Sequence, residues 1–188
     1  MTPSKPGGLF LTPGASGSAD HPVFVRLEEQ LDVPVERYDF EYHRAGRRSP
    51  PKAERVVVEV TEAVTAFADR VGLATDRIAV GGRSFGGRVC SLAVADGLAV
   101  AGLVLLSYPL HPPGRPDDLR IGHFGKIDVP VLFVSGDRDP FGRPDEFVAR
   151  VGAIAGPVTT VWIDGGTHDP KNKGREQAVV DAVSDWMR

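Results

Sequence analysis

Short apolar runs alternate with amphipathic stretches along almost the whole chain. The apolar runs are typical of buried strands and predict strands at residues 9–11, 33–40, 77–80, 100–106, 130–134 and 158–163. Apolar positions at helical spacing predict helices at 22–31, 56–71, 85–95, 145–154 and from about 174 onward. Because strand and helix alternate, the pattern predicts an α/β fold with a doubly wound, mostly parallel sheet and helices on both faces.

In such a fold, function is expected in the loops that follow the strands. Parallel strands present their carboxyl ends at one edge of the sheet, and ligands bind at that edge. The chain has 188 residues, the length of one globular domain, so residues 1–188 are expected to form a single domain.

Composition narrows the possible function classes. A net charge of −3 provides no general basic surface for nucleic acid or for an anionic membrane. The single cysteine, Cys90, allows neither an intrachain disulfide nor a cysteine-rich metal site. The first residues lack a basic start followed by a long apolar segment, so a soluble, cytoplasmic protein is expected.

The segment Gly82-Arg83-Ser84-Phe85-Gly86 matches the pattern G-x-S-x-G and lies between a predicted strand and a predicted helix. This is the arrangement of a nucleophile elbow, in which a serine sits on a turn so tight that its flanking positions are glycine. Phosphate-binding alternatives do not fit, because the segment lacks both a P-loop lysine and the G-x-G-x-x-G spacing. Ser84 is therefore the candidate nucleophile, and the alternative is a serine that only caps the helix.

A serine hydroxyl needs a base and an acid that orients the base, and the loops after the last two strands carry both residue types. Asp137 and Asp139 follow the strand at 130–134, and His168 follows the strand at 158–163. The order serine, acid, histidine is the order found in hydrolases with a nucleophile elbow. From the residues alone, either aspartate fits the acid or a simple turn, and His168 fits a base or an ordinary surface histidine.

The loop after the first strand, Leu11-Thr-Pro-Gly-Ala-Ser-Gly17, is expected to end at the same edge of the sheet. We expect the backbone N–H of Ala15 in this loop and that of Phe85 to form an oxyanion hole. The alternative is a plain turn, since glycine, proline and serine are common in turns.

Four segments resemble the small α/β-hydrolase-fold proteins related to dienelactone hydrolases. They are LFLTPGASG, VGGRSFGGRV, SYPLHPPGRPDDLR with the strand leading into VSGDRDPFG, and DGGTHDP. The chain is similar in particular to a bacterial group called predicted hydrolases and to the hydrolase-like domain of a subunit of the non-specific lethal chromatin complex. The resemblance implies Ser84 as nucleophile, Asp139 as acid and His168 as base, with no cofactor and no metal.

The resemblance also implies a three-layer α/β-hydrolase fold with a minimal six-stranded sheet and no cap domain. Two departures from the family pattern bear on function. Pro13 stands where many relatives have histidine, and the elbow holds serine where dienelactone hydrolases use cysteine, so lactone specificity is not expected. Eukaryotic relatives indicate that the fold can also persist as a protein-binding module.

Two further stretches are candidates for substrate contact. Arg44, Arg47 and Arg48 follow the second predicted strand and could hold a carboxylate or phosphate, the alternative being a solvated basic loop. His111 lies in residues 108–126, the only substantial predicted cover of the site. These features predict a serine hydrolase acting on small-molecule carboxylic esters or related acyl compounds, without nucleic-acid or membrane partners. The alternatives are a cofactor-free perhydrolase and a non-catalytic interaction module, and the oligomeric state stays open.

Overall fold

A computed structural model describes residues 5–188, and the strands and helices below are those of this range. The six strands are β1 (Gly8–Thr12), β2 (Val35–Arg37), β3 (Ile78–Arg83), β4 (Gly102–Leu106), β5 (Val131–Gly136) and β6 (Val158–Ile163). The six α-helices are α1 (Pro22–Gln30), α2 (Glu41–Arg44), α3 (Val57–Val71), α4 (Phe85–Ala95), α5 (Pro144–Val151) and α6 (Lys173–Trp186). Single 3₁₀ turns are formed by Ala53–Arg55, Thr75–Arg77 and Phe124–Lys126.

The strands form one sheet in the order β2-β1-β3-β4-β5-β6, and every neighbouring pair is parallel. The direction of winding reverses at β1, because β2 lies on one side of β1 and β3 on the other. At such a reversal, the loops that leave the two central strands diverge and open a crevice above their carboxyl ends. Gly14, Ala15 and Ser84 line the cavity at this point.

Two apolar layers cover the sheet. Successive side chains of β1 point to opposite faces, so Leu9 and Leu11 pack with α1 and α6, whereas Phe10 packs with α3 and α4. All residues of β4 and β5 are buried, as expected when helices cover both faces of a parallel sheet. The predicted three-layer α/β-hydrolase fold with six strands is confirmed, and the sheet is parallel throughout.

Five of the six strands differ from their predicted bounds by one to three residues, and the second and third differ most. The second strand was expected at 33–40 but comprises only Val35–Arg37, and the chain then turns through Phe40 into α2, which the pattern did not predict. The third strand extends beyond Val80 to Arg83. Only glycine fits at the two added positions 81 and 82. A Cβ on Gly81 would collide with the backbone carbonyl of Val104, and a Cβ on Gly82 would collide with that of Thr12.

The connection from β4 to β5 covers part of the carboxyl edge of the sheet. Its first part is anchored by Tyr108, which is fully buried and donates a hydrogen bond of 2.8 Å to the carbonyl of Arg120. The N–H of Arg120 in turn donates to the carbonyl of Leu110 at 2.7 Å. These two bonds fix the backbone of Arg120 beside the site.

Candidate active site

Ser84 occupies a strained turn between β3 and α4. Its φ is 51° and its ψ is −112°, a conformation that costs a residue other than glycine about 1–3 kcal/mol. A Cβ at Gly82 or Gly86 would collide with Thr12 of β1, so only glycine lets the turn lie this close to the neighbouring strand. This geometry is that of a nucleophile elbow.

The side chains of Ser84, His168 and Asp139 form a continuous hydrogen-bonded chain. His168 Nε2 lies 2.8 Å from Ser84 Oγ, and His168 Nδ1 lies 2.8 Å from Asp139 Oδ2. Asp139 is 1% exposed, and its Oδ1 also accepts a hydrogen bond of 2.9 Å from the N–H of Phe141. The geometry therefore selects Asp139, and not Asp137, as the aspartate in contact with the imidazole.

The carboxylate determines which nitrogen of His168 carries the proton. A buried carboxylate accepts hydrogen bonds and does not donate them, so Nδ1 carries the proton that faces Asp139. Nε2 is then left with a lone pair directed at the hydroxyl of Ser84. The arrangement is suited to removing the proton of that hydroxyl.

Arg83 and Phe141 hold His168 in place. Arg83 Nη2 donates a hydrogen bond of 2.8 Å to the carbonyl of His168 and lies 3.3 Å from a carboxylate oxygen of Asp169. The ring of Phe141 stacks on the imidazole with centroids 4.0 Å apart. Sequence reasoning missed both residues: Arg83 occupies a variable position of the G-x-S-x-G pattern, and Phe141 only follows the acid's loop.

The loop after β1 provides the second side of the site. Ala15 and Phe85 both line the cavity next to Ser84, and neither N–H has a hydrogen-bond acceptor among residues 5–188. Tyr42 donates a hydrogen bond of 2.8 Å to the carbonyl of Ala15, which fixes the peptide. Burial, with a smaller contribution from Asp39, raises the pKa of Tyr42 to about 12, so its hydroxyl keeps the proton that it donates.

A cavity of about 510 Å³ opens beside Ser84. Its lining includes Lys52, Arg83, Arg88 and Arg120, which come from three separate parts of the chain. A volume of this size is ordinary for a small-molecule site and exceeds what a short acyl group fills.

The basic and histidine residues proposed from the sequence for substrate contact lie elsewhere. Within the described range, none of Arg44, Arg47, Arg48 and His111 lines this cavity. The guanidinium of Arg44 lies over the ring of Tyr38, 5.1 Å from its centroid, while Arg47 and Arg48 line a neighbouring hollow.

His111 is buried and does not reach the cavity. Its ring nitrogens lie 2.8 Å from the carbonyl oxygen of Pro112 and 3.0 Å from Glu146 Oε1. Of the loop indicated by the sequence, only its end at Lys52 brings positive charge to the cavity, and the other basic residues come from elsewhere in the chain. Arg44 ends the short helix α2, and the lining of the cavity resumes only at Pro50, after the three arginines.

Residues 5–188 contain no group of three or more His, Cys, Asp or Glu side chains placed to hold a metal ion. In the same part of the chain, no helix has the length and apolar character needed to cross a membrane.

The chain belongs to the α/β-hydrolase domain family, whose pattern matches residues 7–186. This match and the similar structures confirm the expected resemblance to proteins related to dienelactone hydrolases. Fold and family together support a hydrolase as the general class of protein.

Solved structures of similar proteins have the same fold at low sequence identity. An α/β serine hydrolase homologue from Coxiella burnetii is 18% identical, with a TM-score of 0.77 over 98% of this chain and 86% of that chain. Est1E from Butyrivibrio proteoclasticus is 21% identical, with a TM-score of 0.73 over 97% and 87%. A dienelactone hydrolase from Anabaena variabilis is 16% identical, with a TM-score of 0.74 over 96% and 85%.

Proposed function

We propose that the protein is a serine hydrolase that acts on small-molecule carboxylic esters or related acyl compounds. The observation that carries the proposal is the hydrogen-bonded chain from Asp139 through His168 to Ser84, with both Nδ1–Oδ2 and Nε2–Oγ distances at 2.8 Å. The hydrolase family membership and the similar serine hydrolase homologue support it.

In the first half of the reaction, His168 Nε2 takes the proton of Ser84 and the serine oxygen attacks the acyl carbonyl. The negative charge on the carbonyl oxygen is stabilised by the N–H groups of Phe85 and Ala15. The first of these lies at the amino end of α4, where the helix dipole is positive. The protonated imidazole then gives its proton to the leaving alcohol or thiol.

In the second half, a water molecule releases the acyl group from Ser84. His168 takes a proton from the water as it attacks, and the tetrahedral intermediate uses the same two N–H groups. Collapse of this intermediate returns the proton to Ser84 and leaves a carboxylic acid. The carboxylate of Asp139 accepts the hydrogen bond of Nδ1–H and stabilises the imidazolium form of His168.

Intact-mass spectrometry after treatment with a small fluorophosphonate tests the proposal. We expect one covalent adduct on the parent protein and none on a folded Ser84→Ala variant, because an unactivated serine does not react. Hydrolysis of a panel of short-chain aryl esters would follow, with hydrogen peroxide added in parallel to measure perhydrolysis. Absence of an adduct on folded parent protein would reject the hydrolase and favour a non-catalytic interaction module.

A further inference from the structure

The cavity beside Ser84 has an excess of positive charge. Its lining includes Lys52, Arg83, Arg88 and Arg120, against one carboxylate among the described residues that line it, Asp169. The chain as a whole has a net charge of −3. The cavity is therefore basic in a protein that is otherwise slightly acidic, which indicates that the charge is local to this site.

The guanidinium of Arg83 is occupied by partners within the protein. Arg88 and Arg120, in contrast, have N–H donors without an acceptor among the described residues. Arg83 binds the carbonyl of His168 and the carboxylate of Asp169. Arg88 makes one ion pair, of 2.7 Å, with the exposed Glu54, and its buried Nε has no hydrogen-bond partner in the described residues. The side chain of Arg120 has no hydrogen bond or ion pair to any residue from 5 to 188.

The backbone of Arg120 is held in place, although its side chain has no partner in the part of the chain that the structure describes. Its backbone is fixed by the buried hydroxyl of Tyr108 and by the carbonyl of Leu110. Burial, followed by the positive charge of Arg88, lowers the pKa of the Arg120 guanidinium. Both guanidinium groups line the same cavity, and two like charges that are partly removed from water repel each other, so a bound anion would relieve this repulsion.

We propose that Arg88 and Arg120 form a binding site for an oxyanion, and that the substrate is an ester carrying a carboxylate or phosphate group away from the reacting carbonyl. This inference rests on the proposed hydrolase function, since it names the substrate class of the same site. Guanidinium groups bind both anions through paired N–H donors, and the cavity has room for an anionic arm beyond the acyl carbon.

Binding to the Ser84→Ala variant tests the inference without requiring turnover. Isothermal titration calorimetry would compare 4-nitrophenyl hemiadipate with 4-nitrophenyl hexanoate, which differ only in a terminal carboxylate or methyl group. A charge-assisted pair of hydrogen bonds leads us to expect about 10-fold or more tighter binding of the anionic ester. Equal binding of these two esters would exclude an anion on the acyl side. The inference would be overturned if no ester with an anionic group, on either the acyl side or the leaving group, bound more tightly than its neutral counterpart.

Two further ligands locate the anion and identify its type. 4-Acetoxyphenylacetate and 4-acetoxyphenyl phosphate carry a carboxylate or phosphate on the leaving group, and 4-ethylphenyl acetate is their neutral counterpart. A preference for hemiadipate alone assigns the site to the acyl side and to carboxylate. Tighter binding of either anionic acetate ester than of 4-ethylphenyl acetate assigns the site to the leaving-group side. The anion of the more tightly bound ester is then the one that the site prefers.

Variants connect the preference to the two arginines. In the Ser84→Ala background, Arg120→Gln should reduce the preference for the anionic ester, and Arg88→Gln with Arg120→Gln should abolish it. Arg115→Gln is the matched control, because Arg115 lies in the same connection, is exposed and pairs only with Asp118. A preference that survives in the double variant would overturn the inference, even when the fluorophosphonate adduct on Ser84 supports the hydrolase.

Discussion

Residues 5–188 contain two serine–histidine pairs that have the same separation but different surroundings. Ser84 Oγ lies 2.8 Å from His168 Nε2, and Ser91 Oγ lies 2.8 Å from His123 Nε2. Both serines belong to the same part of the fold, since Ser84 precedes α4 and Ser91 lies within it. The distance between the two side chains therefore does not distinguish a candidate nucleophile from a structural hydrogen bond.

The serine–histidine hydrogen bond has opposite donors in the two pairs. Ser91 donates its hydrogen to the carbonyl of Arg88 at 2.8 Å, so its oxygen accepts the N–H of His123. Burial, with the charge of Arg88, lowers the pKa of His123 to about 4, and no carboxylate within residues 5–188 hydrogen-bonds its ring. In His168 the carboxylate of Asp139 holds the proton on Nδ1 and leaves Nε2 free to accept.

Access to solvent also separates the two serines. Ser91 is 0% exposed, whereas Ser84 lines the cavity together with the free N–H groups of Ala15 and Phe85. Activation of a serine requires a carboxylate behind the imidazole, an open approach and donors for the oxyanion, and of these two pairs only Ser84 with His168 has all three. A short Ser–His distance alone meets none of these requirements.

The largest expected effect comes from replacing each serine with alanine. Ser84→Ala should lower kcat for an aryl ester by about 10⁴-fold or more, because the nucleophile is lost. Ser91→Ala should change kcat only a few-fold, while unfolding by urea shows a loss of about 1 kcal/mol from the broken buried hydrogen bonds. Comparable losses of activity in both variants would erase the distinction between the pairs.

Asp139→Asn makes the surroundings of His168 more like those of His123. The amide can donate to Nδ1, which shifts the imidazole proton to Nε2 and removes the lone pair facing Ser84. We expect kcat to fall by about 10³–10⁴-fold and fluorophosphonate labelling to slow in parallel. Asp137→Asn is the matched control from the same loop and should retain activity. A similar loss of activity in that variant would contradict the assignment of Asp139 alone as the acid.

Arg83 provides a smaller effect on the same pair. Arg83→Met removes the hydrogen bond to the carbonyl of His168 and frees the loop that carries the imidazole. We expect kcat to fall by about 10-fold with little change in KM, and Arg83→Lys to recover part of the loss. An unchanged kcat with a raised KM would instead show that Arg83 acts on substrate binding.

The smallest expected effect concerns stability at mild acidity. The pKa of His123 is lowered from 6.5 to about 4, so the unfolded chain binds a proton more readily than the folded protein. Its contribution to stability is complete above the unfolded pKa and is lost as pH falls from about 6.5 towards 4. Urea unfolding at pH 7 and pH 5 should therefore show a smaller loss for His123→Asn than for the parent, and equal losses would contradict the low pKa.

Much of the site followed from local patterns in the chain. The elbow glycines, the carboxylate loop and the histidine loop each follow an apolar run that had to be a buried strand, and parallel strands place such loops at one edge. The choice between Asp137 and Asp139 depended on the resemblance, because the two lie in the same loop and have the same chemistry. The two aspartates differ in the direction of their side chains and in their burial, and both are decided when the loop packs against the imidazole of His168.

The basic part of the site required tertiary structure. Arg44, Arg47 and Arg48 are conspicuous because they lie together in sequence, yet none of them lines the cavity. Arg88 and Arg120 lie far apart in sequence and both reach the cavity because the connection from β4 to β5 packs against α4, where His123 contacts Ser91.

Strand and helix periods reflect the burial of neighbouring residues, and so they can be recognised along the chain itself. Whether long side chains from separate loops meet depends on the conformation of all the backbone between them. No local pattern in the sequence predicts that conformation. This is why the fold, Ser84 and His168 could be inferred from the order of residues. Only the tertiary structure decided which groups bind Arg83, and that the guanidinium of Arg120 has no partner among the described residues.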